Sequence, residues 1–541
     1  MPFDSAPFDS RPSEAVTPAA RPPVARAAVD LPLLTRSTAA GCASSSCGAP
    51  AAAPDPAVAA KVATHPCYSQ DAHRHYARMH LPVAPGCNIQ CNYCNRKFDC
   101  ANESRPGVTT RLLAPDAAVA KVKHVASRVP QLSVVGVAGP GEPLANAGRT
   151  LGILERVGRE CPDVTLCVST NGLTLLDHVD RIADLGIDHV TVTVNMTDPA
   201  VGERIYPWVA FRGRRLTGRE ASRVLSERQL AGIEALAGRG ILCKVNSVMI
   251  PGVNDDHLVE VSRTVRALGA FLHNVMPLVS APEHGTRFGL DGQRGPTPAE
   301  LRALQDRCED GGTAMGLMRH CRQCRADAVG LLGEDRGAEF EGPAGTGRPD
   351  APYDLQGRRA VHAAIEETRA TARLDLAEAG VTDAPAARPP ATVLVAVATA
   401  GGGLVNQHFG HAEEFQVYEA GAGFARLVGT RSVARYCSGP ADCPPDPGSA
   451  GAVGQGAGGH DVAAAVDLLA DCAAVLCSRV GGGPRRALAA RGVEAVEVYD
   501  LVERAVADVA TRIVTARTAA AGHAVAGTAS HAGCGTEADA S

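Results

Sequence analysis

An open (β/α)6 partial TIM barrel with a smaller α/β domain behind it is the fold that this sequence predicts, and three observations lead there. Between residues 61 and 335, six short Val/Leu/Thr-rich runs at 81–85, 132–138, 165–170, 189–195, 242–250 and 271–279 alternate with helix-like stretches at 114–128, 147–160, 177–185, 219–238 and 257–268. A loop carrying three cysteines, Cys87-Asn88-Ile89-Gln90-Cys91-Asn92-Tyr93-Cys94, follows the first run directly. That is where a barrel of this kind puts its chemistry, at the C-terminal strand ends. After Pro389-Pro390 a new apolar strand, Val393-Leu394-Val395-Ala396-Val397, opens a second series of alternating elements.

Taken in order, residues 1–60 are rich in Ala, Pro and Ser with little apolar periodicity and read as a disordered arm, in which Cys42 and Cys47 read as solvated thiols. The barrel occupies 61–335. Residues 336–390, rich in Gly, Pro, Asp and Arg around one amphipathic stretch at 356–379, read as a linker containing one helix. The second α/β domain spans 391–517, with helices near 460–471, 484–490 and 500–516, and 518–541 reads as a disordered tail in which His523, His531 and Cys534 are solvated. Ala-rich runs carry little weight in this reading, because alanine is abundant throughout.

With 541 residues the chain is long enough for several domains and large cores. A formal net charge of -5 supplies no basic field, so nucleic acid and anionic membrane surfaces have no electrostatic support as partners. The 18 cysteines do not read as a secreted disulfide framework, because Met1-Pro2-Phe3-Asp4 opens neither a basic nor an apolar leader. The expected location is the cytoplasm, where clustered thiols point to metal or redox chemistry.

Three thiolates in one loop is the informative count. Zinc and cubane iron-sulfur clusters both take four ligands, so one metal position is left for something else. A zinc knot borrowing a distant fourth ligand is the plain alternative. The CxxxCxxC spacing with an aromatic before its last cysteine resembles the radical S-adenosylmethionine (SAM) superfamily, in which a [4Fe-4S] cluster held by three cysteines, here Cys87, Cys91 and Cys94, chelates SAM at its open iron. In the second βα turn Ala138-Gly139-Pro140-Gly141-Glu142-Pro143 brings bare backbone and a carboxylate to a strand end, a setting that suits a zwitterionic amino-acid moiety. It resembles the glycine-rich SAM-binding turn of the same superfamily, with Gly141 and Glu142 near the SAM amino group. Polar groups closing the next strands, Thr170, Thr193, Asn195 and Asn246 with the neighbouring Val248, are candidate SAM contacts or strand caps. Tyr93 is a candidate adenine contact or a packing residue.

The remaining cysteines of this half are the more telling feature. Cys321-Arg322-Gln323-Cys324 is a CxxC placed after the sixth strand, and Cys100 lies six residues beyond the SAM-type loop. His65-Pro66-Cys67 precedes the first strand and Cys167 ends the third, whereas Cys161, Cys243 and Cys308 read as inert. Together His65-Pro66-Cys67-Tyr68, Ala77-Arg78-Met79-His80, Cys87 through Lys97, Cys100-Ala101-Asn102-Glu103-Ser104-Arg105-Pro106-Gly107 and Cys321 through Asp327 resemble the NifB family, the radical SAM maturases of nitrogenase iron-molybdenum cofactor biosynthesis. Asn406-Gln407-His408-Phe409-Gly410-His411-Ala412 and Val475-Leu476-Cys477-Ser478 resemble the nitrogenase cofactor-binding (NifX-like) domain that some members carry at the C-terminus.

The resemblance implies an open (β/α)6 partial TIM barrel of the radical SAM type. It implies a reaction in which two [4Fe-4S] clusters, bound as substrates, are fused into an eight-iron precursor carrying a carbide. SAM would serve as methyl donor and as source of the 5'-deoxyadenosyl radical. One substrate cluster would sit on Cys100, Cys321 and Cys324, and the other on His65, Cys67 and Cys167. Glu103 and Arg105 would be catalytic, moving protons or positioning groups, or else form an ion pair. His408 and His411, with Cys437, Cys443 and Cys477 in reach, would hold the product cluster. The implied partners are iron-sulfur cluster donors, a reducing electron donor such as ferredoxin or flavodoxin, and downstream nitrogenase cofactor carriers. Two rivals stand beside this reading. A cluster scaffold or carrier without SAM chemistry has no use for Glu142 in its glycine turn, and peptide-modifying radical SAM enzymes gather their extra cysteines in one C-terminal extension.

Overall fold

The computed structural model describes residues 56–95, 112–309, 316–321, 324–331, 336–340, 353–381, 391–433 and 462–529. The six expected runs form strands β1 (Ala77–Ala84), β3 (Leu132–Pro140), β4 (Thr165–Thr170), β5 (His189–Thr193), β8 (Leu242–Met249) and β9 (Leu272–Pro277). They lie side by side in the order β1-β3-β4-β5-β8-β9, each parallel to its neighbours. Two short edge strands complete an eight-stranded sheet: β10 (Gly316–Leu317) runs parallel to β9, and β11 (Val329–Leu331) runs antiparallel to β1. The two edges do not pair with each other, so the barrel is open as expected.

Burial explains why these segments are strands. β3 and β8 are buried along almost their whole length, the pattern of parallel strands covered on both faces. Their outer faces pack under helices Pro115–Arg128, Ala147–Glu160, Gly218–Gly238 and Leu258–Ala267 in one apolar core with Val122, Leu154, Ile233 and Val261. The helix boundaries agree with the expectations to within two residues, the shorter Val179–Asp184 included.

A small three-stranded antiparallel sheet, β2 (Ile89–Gln90), β6 (Trp208–Phe211) and β7 (Arg214–Leu216), was not foreseen. Through β2 it grips the cysteine loop: Ile89 pairs with Val209 and Gln90 with Trp208.

The presumed linker also differs from the expectation. Its helix, Leu355–Glu378, is clamped to the barrel by buried arginines. Arg358 pairs with Asp163 at 2.7 Å and donates to the Leu132 carbonyl, while Arg369 pairs with Asp71 at 2.9 Å. Tyr76 donates to Glu366 at 2.7 Å. At the two ends of the chain, helix Pro56–Val62 begins inside the presumed arm and ties Lys61 to Asp188, and the last helix, Val502–Ala529, continues into the presumed tail.

The second domain is a five-stranded mixed sheet in the order β14 (Phe424–Ser432), β13 (Glu414–Gly421), β12 (Val393–Val397), β15 (Ala474–Cys477), β16 (Glu494–Glu497). It rests against the barrel through Arg426 on Glu309 (2.7 Å), Arg302 on Asp471 (3.7 Å) and Arg74 on the Tyr418 hydroxyl (2.8 Å). Among the described residues no helix is long and apolar enough to cross a membrane.

Candidate active site and substrate chamber

The cysteine loop leaves β1 and is fixed from three sides. Gln90 donates its side-chain amide to the Cys91 and Cys94 carbonyls, both at 3.0 Å. Asn92 is held at its backbone by Ile205 and at its side chain by Arg204. Asn171, at the end of β4, donates to Asn88 at 2.7 Å and reaches the Cys87 sulfur at 3.8 Å. Cys91 is buried and Cys87 and Cys94 are half-buried, all packed on Ile89, Tyr93, Leu173, Met196 and Phe288. Burial pushes the Cys91 thiol well up, and the neighbouring Cys94 and Cys87 push it further. Three thiols in electrostatic reach of one another, in an apolar setting, form a donor set that a positively charged iron-sulfur core would relieve. Among the described residues no three His, Cys, Asp or Glu side chains converge closely enough to grip a single metal ion, and a multi-atom cluster needs no such convergence.

Beside this loop stands the glycine turn at the end of β3. Gly141 donates to the Ala84 carbonyl and Glu142 to the Gly86 carbonyl, both at 2.7 Å. A Cβ on Gly141 would run into the Gly86 carbonyl, so only glycine lets this turn lie against the root of the cysteine loop. The Glu142 side chain is buried and receives a backbone N–H on each oxygen, from Leu144 (2.9 Å) and Asn171 (2.6 Å), with the Thr170 hydroxyl at 2.5 Å. Glu142 and Thr170, named separately as candidate SAM contacts, are thus in direct contact.

The other strand-end residues divide. Asn195 donates to the Tyr93 (2.6 Å) and Tyr206 (2.9 Å) hydroxyls and accepts from the Val248 amide (2.7 Å). Its side chain knits the strand ends to the cysteine loop, and Val248 and Tyr93 are drawn into the same knot. Thr193, fully buried, accepts at its carbonyl from Gln229. Asn246 faces away from the glycine turn into the barrel interior, where it accepts from Asn274 at 3.1 Å.

The barrel interior holds a chamber lined by His65, Cys67, Cys167, Cys321 and Cys324, with Arg78, His80, Lys244, Ser169 and Asn246. All the described cysteines expected to serve substrate clusters meet here. The sets that sequence reasoning separated are not walled apart: Cys67 packs against Cys324, and His320 contacts the Pro66 carbonyl at 3.2 Å, joining the two cysteine segments. Burial pushes the Cys67 thiol up to about 12; Lys244 opposes this, and Cys324, Cys167 and Cys321 add to it. Burial also holds the His65 imidazole well below its usual range, so the ring is neutral near pH 7. Its Nδ1 accepts from the Cys67 amide at 3.2 Å, while its buried Nε2 has no hydrogen-bond partner among the described residues. An orphaned ring nitrogen among thiols fits a ligand role.

Sequence reasoning missed the cations. Arg78 donates to the Cys324 sulfur from Nε (3.3 Å) and Nη2 (3.2 Å), and Lys244 extends into the chamber from β8. Arg78 lay within a quoted motif; Lys244, a lone charge in the run 242–250, was the available signal. Cys100, Glu103 and Arg105 lie outside the described residues, as do Cys42, Cys47, Cys437, Cys443, His531 and Cys534. Cys161, Cys243 and Cys308 are buried in the barrel core.

In the C-terminal domain the His408 and His411 rings stand 4.8 Å apart, and the Gly410 amide donates to His408 Nδ1 at 3.0 Å. Cys477 does not present a ligand there. It is fully buried in the domain core and its thiol is pushed up to about 12 by that burial, so the expectation that it helps hold a product is corrected.

The comparisons with known proteins agree with this geometry. Residues 81–265 match the radical SAM superfamily, and residues 391–512 match the dinitrogenase iron-molybdenum cofactor family. The FeMo cofactor biosynthesis protein NifB of Frankia alni is 62% identical, covering 89% of this chain and 94% of that protein. The protein of the same name from Azotobacter vinelandii is 50% identical over 84% of this chain and 90% of its own length. Among solved structures, Streptococcus suis SuiB bound to S-adenosylmethionine is 14% identical with a TM-score of 0.32, covering 46% of this chain and 50% of that one. With identities of 50–62% to these two NifB proteins over most of both lengths, the chain belongs to the NifB family of radical SAM proteins.

Proposed function

We propose that this chain is the radical SAM enzyme that fuses two [4Fe-4S] clusters and inserts a SAM-derived carbide, giving the eight-iron precursor of the iron-molybdenum cofactor. The observation that carries the reading is the single chamber in which His65, Cys67, Cys167, Cys321 and Cys324 face one another beneath the strand ends that carry Glu142. Fusion of two clusters needs both in one enclosure, with incomplete thiolate sets so that the product can leave.

Cys87, Cys91 and Cys94 would hold the [4Fe-4S] cluster, and when bound with SAM it supplies the methyl group and the 5'-deoxyadenosyl radical. Glu142, fixed by two backbone amides, would receive the SAM ammonium, and the knot of Asn195, Tyr93 and Tyr206 keeps the cysteine loop in register with it. Cys67, Cys167 and His65 would hold one substrate cluster, and Cys321 and Cys324, with Cys100, the other. Binding by His65 through Nε2 requires its proton on Nδ1 and hence release of the Cys67 amide. Arg78 and Lys244 offset the negative charge of thiolate-ligated clusters in a buried place. Glu103 and Arg105 are proposed to move protons or position groups near Cys100. SAM, cluster donors, a reductant of the ferredoxin or flavodoxin type and downstream cofactor carriers are the proposed partners, in the cytoplasm.

Alanine replacements separate the two parts. Cys87→Ala, Cys91→Ala or Cys94→Ala should abolish 5'-deoxyadenosine formation, whereas Cys67→Ala with Cys324→Ala should keep it and lose substrate-cluster iron. Equal loss of 5'-deoxyadenosine in both groups would contradict the division of roles.

A further inference from the structure

The substrate chamber shares part of its wall with a second space, on the side facing the C-terminal domain. Asn274, Met276, Met318 and Cys321 line the chamber and also line a larger cleft, open to solvent. One wall of that cleft is barrel, from helix Pro298–Glu309; the other is β14 of the C-terminal domain, through Val428, Thr430 and Ser432. The shared residues are thus a partition between the place where the ligands gather and the domain that matches the dinitrogenase iron-molybdenum cofactor family.

The partition is built to yield. Met276 and Met318 are nearly fully buried, and methionine, unbranched and with three rotatable bonds, is the apolar side chain that most readily changes shape at low cost. Cys321 belongs to both spaces, so a cluster it ligates already borders the cleft. Among the described residues, the strand ends at the opposite end of the chamber are occupied by Glu142, Asn195 and the packed cysteine loop. The contacts that set the cleft's width, Arg426 on Glu309 and Arg302 on Asp471, join partly exposed side chains, and pairs of that kind contribute at most about 1 kcal/mol each. The walls can spread at these pairs while Arg74, paired with Glu503 and bonded to Tyr418, still joins the two domains.

Resting on the function proposed above, we propose that the finished cluster leaves the barrel sideways, between Met276 and Met318 and past Cys321, into the cleft and onto the C-terminal domain of the same chain. The product would then pass from its site of synthesis to its holder without crossing bulk solvent.

The test fills the cleft from the far wall. Thr430 is half-buried and Ser432 exposed on β14, in the wall of the cleft across from Cys321, so Thr430→Trp and Ser432→Trp obstruct the cleft with little demand on the core. In full-length reconstituted protein, 5'-deoxyadenosine formation is expected to stay within about twofold of wild type. Passage of the eight-iron cluster to an excess of a stand-alone apo-protein of the dinitrogenase iron-molybdenum cofactor family should slow by about tenfold or more. In metal-free protein the same variants should slow iodoacetamide labelling of Cys321 and leave that of Cys87 unchanged. Transfer at the wild-type rate in both variants overturns the route while leaving the proposed function standing. A wild-type protein that cleaves SAM but forms no transferable eight-iron cluster overturns the proposed function and the route together.

Discussion

Replacing Glu142 by Gln tests the glycine turn at the level of single hydrogen bonds. Each carboxylate oxygen receives a backbone N–H, Leu144 on Oε1 and Asn171 on Oε2. Whichever oxygen becomes NH2, it meets a backbone donor that cannot turn away, and one buried N–H loses its acceptor. An unsatisfied buried donor costs about 1–3 kcal/mol, and losing the charge assistance on the remaining bond adds about 1 kcal/mol. The expected destabilisation of the metal-free protein is therefore about 2–4 kcal/mol by denaturant unfolding. A second consequence is separate from folding. The ammonium of SAM would lose an ionic acceptor, which at about 1.5–3 kcal/mol weakens SAM binding roughly 10- to 150-fold in an equilibrium titration of cluster-loaded protein. Thr170→Val removes only the hydroxyl donor and should cost about 1 kcal/mol, with SAM affinity little changed. An E142Q protein that binds SAM as wild type does would refute the assignment, whatever its stability.

Other outcomes follow from the same structure. Arg358→Met strands the buried Asp163 carboxylate and should destabilise by about 3–5 kcal/mol, with part recovered when Asp163→Asn is added. His273 is fully buried, and that burial lowers its imidazole to about 4 from the usual 6.5. The unfolded chain then binds more protons between those values, so this group's contribution is complete above pH 6.5 and falls by about 2 kcal/mol on going to pH 5. The pH dependence of unfolding of metal-free protein should be shallower by that amount in His273→Gln. Anaerobically reconstituted protein should bind about twelve irons per chain if its three clusters are all [4Fe-4S], and a value near four would remove the substrate clusters from the account. A chain ending at Val381 keeps the clamping helix Leu355–Glu378 and should still cleave SAM.

The sheet was legible because parallel strands buried on both faces are nearly pure apolar runs, as Leu132-Ser133-Val134-Val135-Gly136-Val137 shows. The three-stranded sheet around Trp208–Phe211 was not, since its strands are too short to show alternation, although Arg212-Gly213 between them is a turn. Arg358 and Arg369 looked like the solvated face of a linker helix, and only the placement of Asp163 and Asp71 shows that they are buried. The final helix runs past residue 517 through an Ala-rich stretch that composition had led us to discount. At the site, cysteine spacing picked out the candidate ligands but not their grouping. Distance along the chain kept Cys67 from Cys324, and the sheet order that seats β11 beside β1 brings them into contact. Lys244 was missed because a lysine in a strand usually faces water.

The central claim, that one chamber joins two clusters around a carbon from SAM, is tested most directly by following that carbon. Protein reconstituted with iron and sulfide is turned over with SAM labelled in its methyl group, and the cluster is then isolated under anaerobic conditions. The account predicts about one label for every eight irons in the released cluster, with 5'-deoxyadenosine formed alongside it. Label left in the protein or in free methyl products, with none travelling with iron, would contradict it.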